Sequence, residues 1–265
     1  MSAVGAQQET EEGRSQPPSL LLMLAEARAL QEYGASLALA PLLLTAPRGD
    51  GHPVLVLPGF LASDTSTQML RRYLRALGYG AVGWELGRNI GGFYGMRDNL
   101  RSRLARLHNE TRRKISLVGW SLGGVFARDL ALAVPDAVRS VITLGSPFSG
   151  DVKATNASRL YEQVTGERHA DAQPQHLRAL AGDLGLPTTS IYSRTDGVVH
   201  WRTSLAKEND HTENIEILLA SHTGLGFNAA ALWAVADRLA QPEGTFAPFG
   251  RGGPFALAYP RRGVD

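Results

Sequence analysis

The chain has 265 residues, 27 Lys and Arg against 25 Asp and Glu, and no cysteine. That length holds one large domain or one domain with an insertion, and 43% hydrophobic residues suffice for a sizeable core. The missing cysteines exclude disulfides, thiolate metal sites and thiol nucleophiles, and a net charge of +2 demands neither nucleic acid nor an acidic surface as partner.

Residues 1–18 are polar, carry Glu9, Glu11 and Glu12, and lack the basic start of a secretory signal. They have almost nothing to bury and are predicted to form a disordered leader. Residues 19–45 are dominated by Ala, Leu, Glu and Arg, which predicts a helix packed on the main domain with a weak break at Gly34. Its apolar run at 20–24 stops before Glu26 and Arg28, and the run at 35–45 is broken by Pro41. Neither approaches the roughly 18–20 apolar residues that span a bilayer. The expectation is a soluble, cytoplasmic protein.

From Pro53 onward strand and helix patterns alternate. Short apolar runs predict strands at 53–57, 80–84, 115–118, 140–144, 189–192 and 215–219. Helices are expected at 69–77, 93–109, 122–134 and 228–239. This order predicts an α/β fold, a mainly parallel sheet flanked by helices. Residues 146–187 separate two strands by far more than the usual connection of roughly 2–6 residues. With helical stretches at 156–164 and 175–184, they read as a helical cap-like insertion, and 19–265 as one domain that includes it. The tail, 241–265, is rich in Pro, Gly and Phe and is expected to wrap over the surface in extended form.

The chemistry centres on Gly119-Trp120-Ser121-Leu122-Gly123, a G-x-S-x-G pattern. The pattern is short, but here a strand precedes it and a helix follows. In that setting the serine sits on a sharp, strained turn, and Gly119 and Gly123 are required for space. A serine hydroxyl needs a base within hydrogen-bond reach and an acceptor that orients the base. In this setting they follow in the order acid, then histidine, each after a late strand.

Of the seven histidines, His52 and His108 precede the serine, His169 and His176 lie in the insertion, and His200 and His211 come before the last strand. His222 directly follows that strand and is assigned as the base. Asp196 follows the strand at 189–192, with Gly197 beside it to support a tight turn, whereas its rivals Asp183 and Asp210 follow no strand. For the oxyanion hole, the backbone N–H of Leu122 is one donor, and that of Phe60, in the loop after the first strand, is the second, with Leu61 as runner-up.

Val54-Leu55-Val56-Leu57-Pro58-Gly59-Phe60, Trp84-Glu85-Leu86-Gly87-Arg88-Asn89, Gly-Trp-Ser-Leu-Gly-Gly at 119–124, Thr143-Leu144-Gly145-Ser146-Pro147, Ser193-Arg194-Thr195-Asp196-Gly197-Val198-Val199 and Ser221-His222-Thr223-Gly224-Leu225 occur in that order. Over roughly residues 53–240 the chain resembles the α/β-hydrolase superfamily in its bacterial lipase and esterase branch. The resemblance implies a Ser121–His222–Asp196 triad, an acyl-enzyme, a small-molecule ester substrate, and no metal or other cofactor. Pro58 departs from the histidine common at that position. The absence of clear calcium-site residues and of cysteines departs from some secreted lipases. Two alternatives are another acyl-transfer activity, amidase or acyltransferase, and a non-catalytic binding protein on the same fold. Arg97, Arg101, Arg103, Arg106, Arg112 and Arg113 read as a solvated face. A membrane-surface role would need an apolar face beside them and is not expected.

Overall fold

The computed structural model describes residues 17–149, 155–156, 162–163 and 174–260. The leader up to residue 16 and most of the helical stretch expected at 156–164 lie outside the described residues.

Six strands are described: β1 (Pro53–Leu57), β2 (Gly80–Gly83), β3 (Ile115–Trp120), β4 (Val138–Leu144), β5 (Thr188–Tyr192) and β6 (Thr212–Glu216). They form one sheet in the order β2-β1-β3-β4-β5-β6, and every neighbouring pair is parallel. All the strand C-termini therefore share one edge. The chain lays β2 on one side of β1 and β3 onward on the other, so the order reverses between β1 and β3. That switch point opens the crevice in which parallel sheets bind ligands.

The strands are apolar because both of their faces are covered. Val54 and Val56 pack on one side with helices α4 (Gln68–Ala76) and α8 (Ala229–Leu239). Leu55 and Leu57 pack on the other with α5 (Phe93–Thr111) and α6 (Leu122–Ala133). Alternate residues of one strand thus build two separate cores. At the C-terminal end Phe249, Phe255 and Tyr259 bury against the first core, so aromatic anchors fasten the tail as far as it is described.

Three expectations need correction. Helix α2 (Ala29–Ala38) runs through Gly34 without a break. The stretch is interrupted instead by a 3-10 turn at Glu26–Arg28 and at Leu39, where Pro41 at the start of α3 (Ala40–Leu43) cannot continue the helix. The last strand is 212–216, not 215–219. β6 is an edge strand, where polar residues are tolerated, while Leu218 and Leu219 are exposed and Leu219 turns the chain at φ 57°. The arginines of α5 are only partly a solvated face. Arg97 pairs at 2.9 Å with buried Asp129, and Arg103, itself buried, reaches Glu85 at 2.8 Å.

Of the insertion, α7 (Pro174–Ala181) is described and lies against α6. Buried Arg128 donates from α6 to the carbonyls of Leu180 and Gly182, and its guanidinium lies 4.1 Å from the centre of the Phe148 ring. No helix among the described residues is long and apolar enough to cross a membrane.

Candidate active site

Ser121 stands between β3 and α6 with φ 53° and ψ −123°, a conformation that a residue with a Cβ adopts only under strain. Its N–H donates to the carbonyl of Leu144 on the neighbouring strand at 2.8 Å. The glycines around it leave no room for a side chain. A Cβ on Gly119 would lie 2.3 Å from the carbonyl oxygen of Gly123, and one on Gly123 would lie 2.3 Å from that of Leu57. Gly124 is equally confined, by Ser146. The turn is therefore tightened from three sides, by its own chain, by the end of β1 and by the loop after β4.

The two loops that end β5 and β6 bring the other groups to this point. His222 Nε2 lies 3.0 Å from Ser121 Oγ, and His222 Nδ1 lies 2.6 Å from Asp196 Oδ2. The second carboxylate oxygen of Asp196 accepts the N–H groups of Val198 and Val199 at 2.8 and 2.7 Å. Both His222 and Asp196 are buried. Burial pulls the His222 imidazolium down, but the charge and hydrogen bond of Asp196, with the charge of Glu26 behind it, outweigh burial and raise its pKa.

Gly197 serves a second purpose beside the expected turn. It does not adopt positive φ, and the space where its Cβ would lie is taken by the carbonyl of Leu22, 2.2 Å away. The glycine thus lies within the tight turn that the Asp196 carboxylate closes onto Val198 and Val199, and it also admits a neighbouring segment.

The loop after β1 lies against the serine, since a Cβ on Gly59 would sit 3.2 Å from Ser121 Cβ. The N–H of Leu61, the runner-up donor, points away to the carbonyl of Asn89 at 2.6 Å. Leu122 opens α6, where a first-turn N–H has no helical acceptor behind it.

Four of the other histidines meet other polar partners, and the ring of His200 stacks on Trp201. His108 meets the carbonyl of Arg113, His176 lies 3.3 Å from Asp129, and His211 lies 2.7 Å from Asp183. His52 is buried between Asp50 and Ser116. His169 is outside the described residues. Two supporting residues had no sequence assignment. Asn89, fully buried, donates from Nδ2 to the carbonyl of Pro58 at 2.8 Å and so pins the loop after β1. Trp120 donates from its indole N–H to the carbonyl of His222 at 3.1 Å. Among the described residues, no group of acidic, histidine or cysteine side chains could hold a metal ion.

No protein-family model and no curated protein matches the chain. Solved structures do. Aspergillus fumigatus lipase B superposes with a TM-score of 0.58 at 15% identity, over 73% of this chain and 53% of that one. The chain thus spans about half the length of that lipase. An alpha/beta superfamily hydrolase from Oenococcus oeni gives 0.51 at 16% identity, over 70% of this chain and 90% of that one. The thioesterase domain from the curacin biosynthetic pathway gives 0.50 at 16% identity, over 72% and 92%.

Proposed function

We propose that this chain, which has the α/β-hydrolase fold, is a serine hydrolase that cleaves carboxylic esters through an acyl-enzyme. The carrying observation is the continuous chain Ser121 Oγ, His222, Asp196 at a strained strand-to-helix turn beside the switch point. Fold alone does not carry a function. A serine, a histidine and a carboxylate within hydrogen-bond distance, in the required order, are what the chemistry needs.

In the proposed reaction His222 Nε2 takes the proton of Ser121 as Oγ bonds to the ester carbonyl carbon. Asp196 keeps the ring oriented and stabilises the imidazolium. The carbonyl oxygen becomes an oxyanion, held by the N–H groups of Leu122 and Phe60. Collapse breaks the bond to the alkoxy oxygen, which leaves with the proton from His222. Water then repeats the sequence on the acyl-Ser121, releasing the acid and restoring the serine. Neither a metal nor a redox group enters these steps.

The test is a series of p-nitrophenyl esters of increasing acyl length with intact protein and with Ser121→Ala. The intact protein turns over at least one of them, and Ser121→Ala loses at least about a thousandfold in kcat while its melting temperature holds. A fluorophosphonate adds to the intact protein and not to the variant. Turnover retained by Ser121→Ala overturns the proposal.

A further inference from the structure

The segment from α1 (Leu20–Ala25) to α2 is built inside out. From Leu20 to Ala38 only Ala29 and Ser36 are buried, while Leu20, Leu21, Leu24, Leu30 and Leu37 are exposed. An amphipathic helix normally turns its leucines inward. Here the half-buried side chains that meet the body include Glu26, Arg28 and Glu32, and apolar burial does little to hold the segment in place.

Their polar contacts converge on the loops that carry Asp196 and His222. One oxygen of Glu26 accepts the N–H of Gly197 at 2.9 Å and that of His222 at 2.8 Å. Its other oxygen accepts the N–H of Thr223 at 3.0 Å. Arg28 donates to the carbonyls of Thr195 and Ala220 at 2.6 and 2.9 Å. Glu32 accepts the N–H of Ser221 at 2.9 Å and the side-chain amide of Asn228 at 2.8 Å. Both loops also carry a glycine where the segment presses. A Cβ on Gly197 would strike the carbonyl of Leu22, and one on Gly224 the carboxylate of Glu32, at 2.2 and 2.1 Å.

We infer that this segment is a clamp on the Asp196 and His222 loops, and that Glu26 is its principal positioning residue, tying the two together through one carboxylate. The inference rests on the serine-hydrolase reading. The pair must hold His222 Nε2 within reach of Ser121, and the two loops belong to different strands with no covalent bond between them. Trp120 holds the carbonyl of His222 from the elbow, and Glu26 holds its N–H. Glu26 touches no reacting atom, so it acts through His222.

The test compares Glu26→Ala with Glu26→Gln in the full chain. Glutamine keeps one acceptor oxygen for Gly197 and His222; alanine keeps none. Glu26→Ala lowers kcat about tenfold or more with KM within about twofold, and Glu26→Gln recovers most of that loss. The second readout is the titration of the His222 ring by NMR. The charged or titratable groups around that loop are Asp196, Ser121 and Glu26, with Arg28 and Glu32 on the flanking amides and carbonyls. Removing the Glu26 charge moves the His222 midpoint down in Glu26→Gln. A residue of merely structural weight would lower kcat only as the folded fraction falls. Wild-type kcat in Glu26→Ala overturns the clamp, as does a Glu26→Gln no better than Glu26→Ala at equal folded fraction. If the intact protein cleaves no ester, the serine-hydrolase reading fails, and amide hydrogen exchange at Gly197, His222 and Thr223 still decides the clamp, since it quickens in Glu26→Ala if Glu26 holds these N–H groups and is unchanged if it does not.

Discussion

The hydroxyl of Ser116 lies 3.0 Å from Nε2 of His52, the same separation as between Ser121 and His222. Asp50 completes the likeness by meeting His52 Nδ1 at 2.5 Å. Yet this second constellation stands near the start of the strands, where Ser116 pairs with Val54 and Ser140. Ser116 and His52 are fully buried, Ser116 lies within a strand without positive φ, and no helix begins after it. Burial first of all lowers the pKa of His52, against the hydrogen bond that its ring N–H donates to Asp50.

The two serines therefore separate in mutagenesis. Ser116→Ala leaves ester turnover within about twofold but leaves a buried histidine nitrogen unpaired, costing about 1–3 kcal/mol in urea unfolding. Ser121→Ala does the reverse. Loss of turnover in a fully folded Ser116→Ala protein would show that the three-residue geometry, without access or an oxyanion site, had been misjudged.

The pH profile follows from the raised pKa of His222. The ring accepts the serine proton only when neutral, so activity is lost as pH falls through the folded value. The acid limb of kcat/KM therefore has its midpoint above the ordinary histidine value of about 6.5. Burial works against the shift, while Asp196, by charge and hydrogen bond, and Glu26 drive it. Asp196→Asn lowers that midpoint and kcat together. For stability the sign is opposite to the activity: the extra proton affinity of the folded state favours folding below about 6.5, and that contribution is lost as pH rises through the folded value. A rate profile whose acid limb lies below about 6 would contradict the electrostatics assigned to this pair.

Much of the site was legible because its chemistry imposes order. Ser121, Asp196 and His222 are separated by 75 and 26 residues (196 − 121 and 222 − 196), but each lies in the connection that follows a strand, and strand ends of a parallel sheet share an edge. Histidine order alone set aside His52, whose geometry would have misled a reader of distances. The edge strand was placed three residues late because apolar residues mark a strand only where both faces are covered, and β6 is half open. Glu26 and Glu32 were illegible for a related reason. Periodicity assigns the apolar face of a helix to the interior, and in the segment 20–38 the interior partner is a row of backbone N–H groups. Arg128 and Asn89 bond to carbonyls, which leave no trace in composition or spacing.

Arg128 holds the described end of the insertion to the fold. Burial lowers its pKa to about 10, with Asp183 opposing the shift, so it remains a cation at neutral pH. Arg128→Ala removes the donor from the carbonyls of Leu180 and Gly182 and empties the space over Phe148. The expected cost is about 3 kcal/mol, read from the urea midpoint at constant slope. A change under about 0.5 kcal/mol would mean that the cost of burying the charge cancels its bonds.

Asn89 tests the oxyanion loop without touching a reacting atom. Its backbone accepts from Leu61 at 2.6 Å and donates to Ala62 at 2.7 Å, and these bonds survive any side-chain change. Its side chain donates to Pro58 and accepts from Gly91. Asn89→Asp keeps the acceptor but sets a carboxylate oxygen against the Pro58 carbonyl, and Asn89→Ala keeps neither bond. A lost oxyanion donor costs roughly a hundred- to a thousandfold in kcat, and a misaimed one costs part of that. Both variants should therefore lose about tenfold or more in kcat on a short-chain p-nitrophenyl ester, with KM moving less, because the oxyanion forms only after binding. Asn89→Asp should be at least as impaired as Asn89→Ala. If aspartate instead matched wild type, the Pro58 bond would not govern the aim of Phe60, and the second oxyanion donor would have to come from elsewhere in the loop.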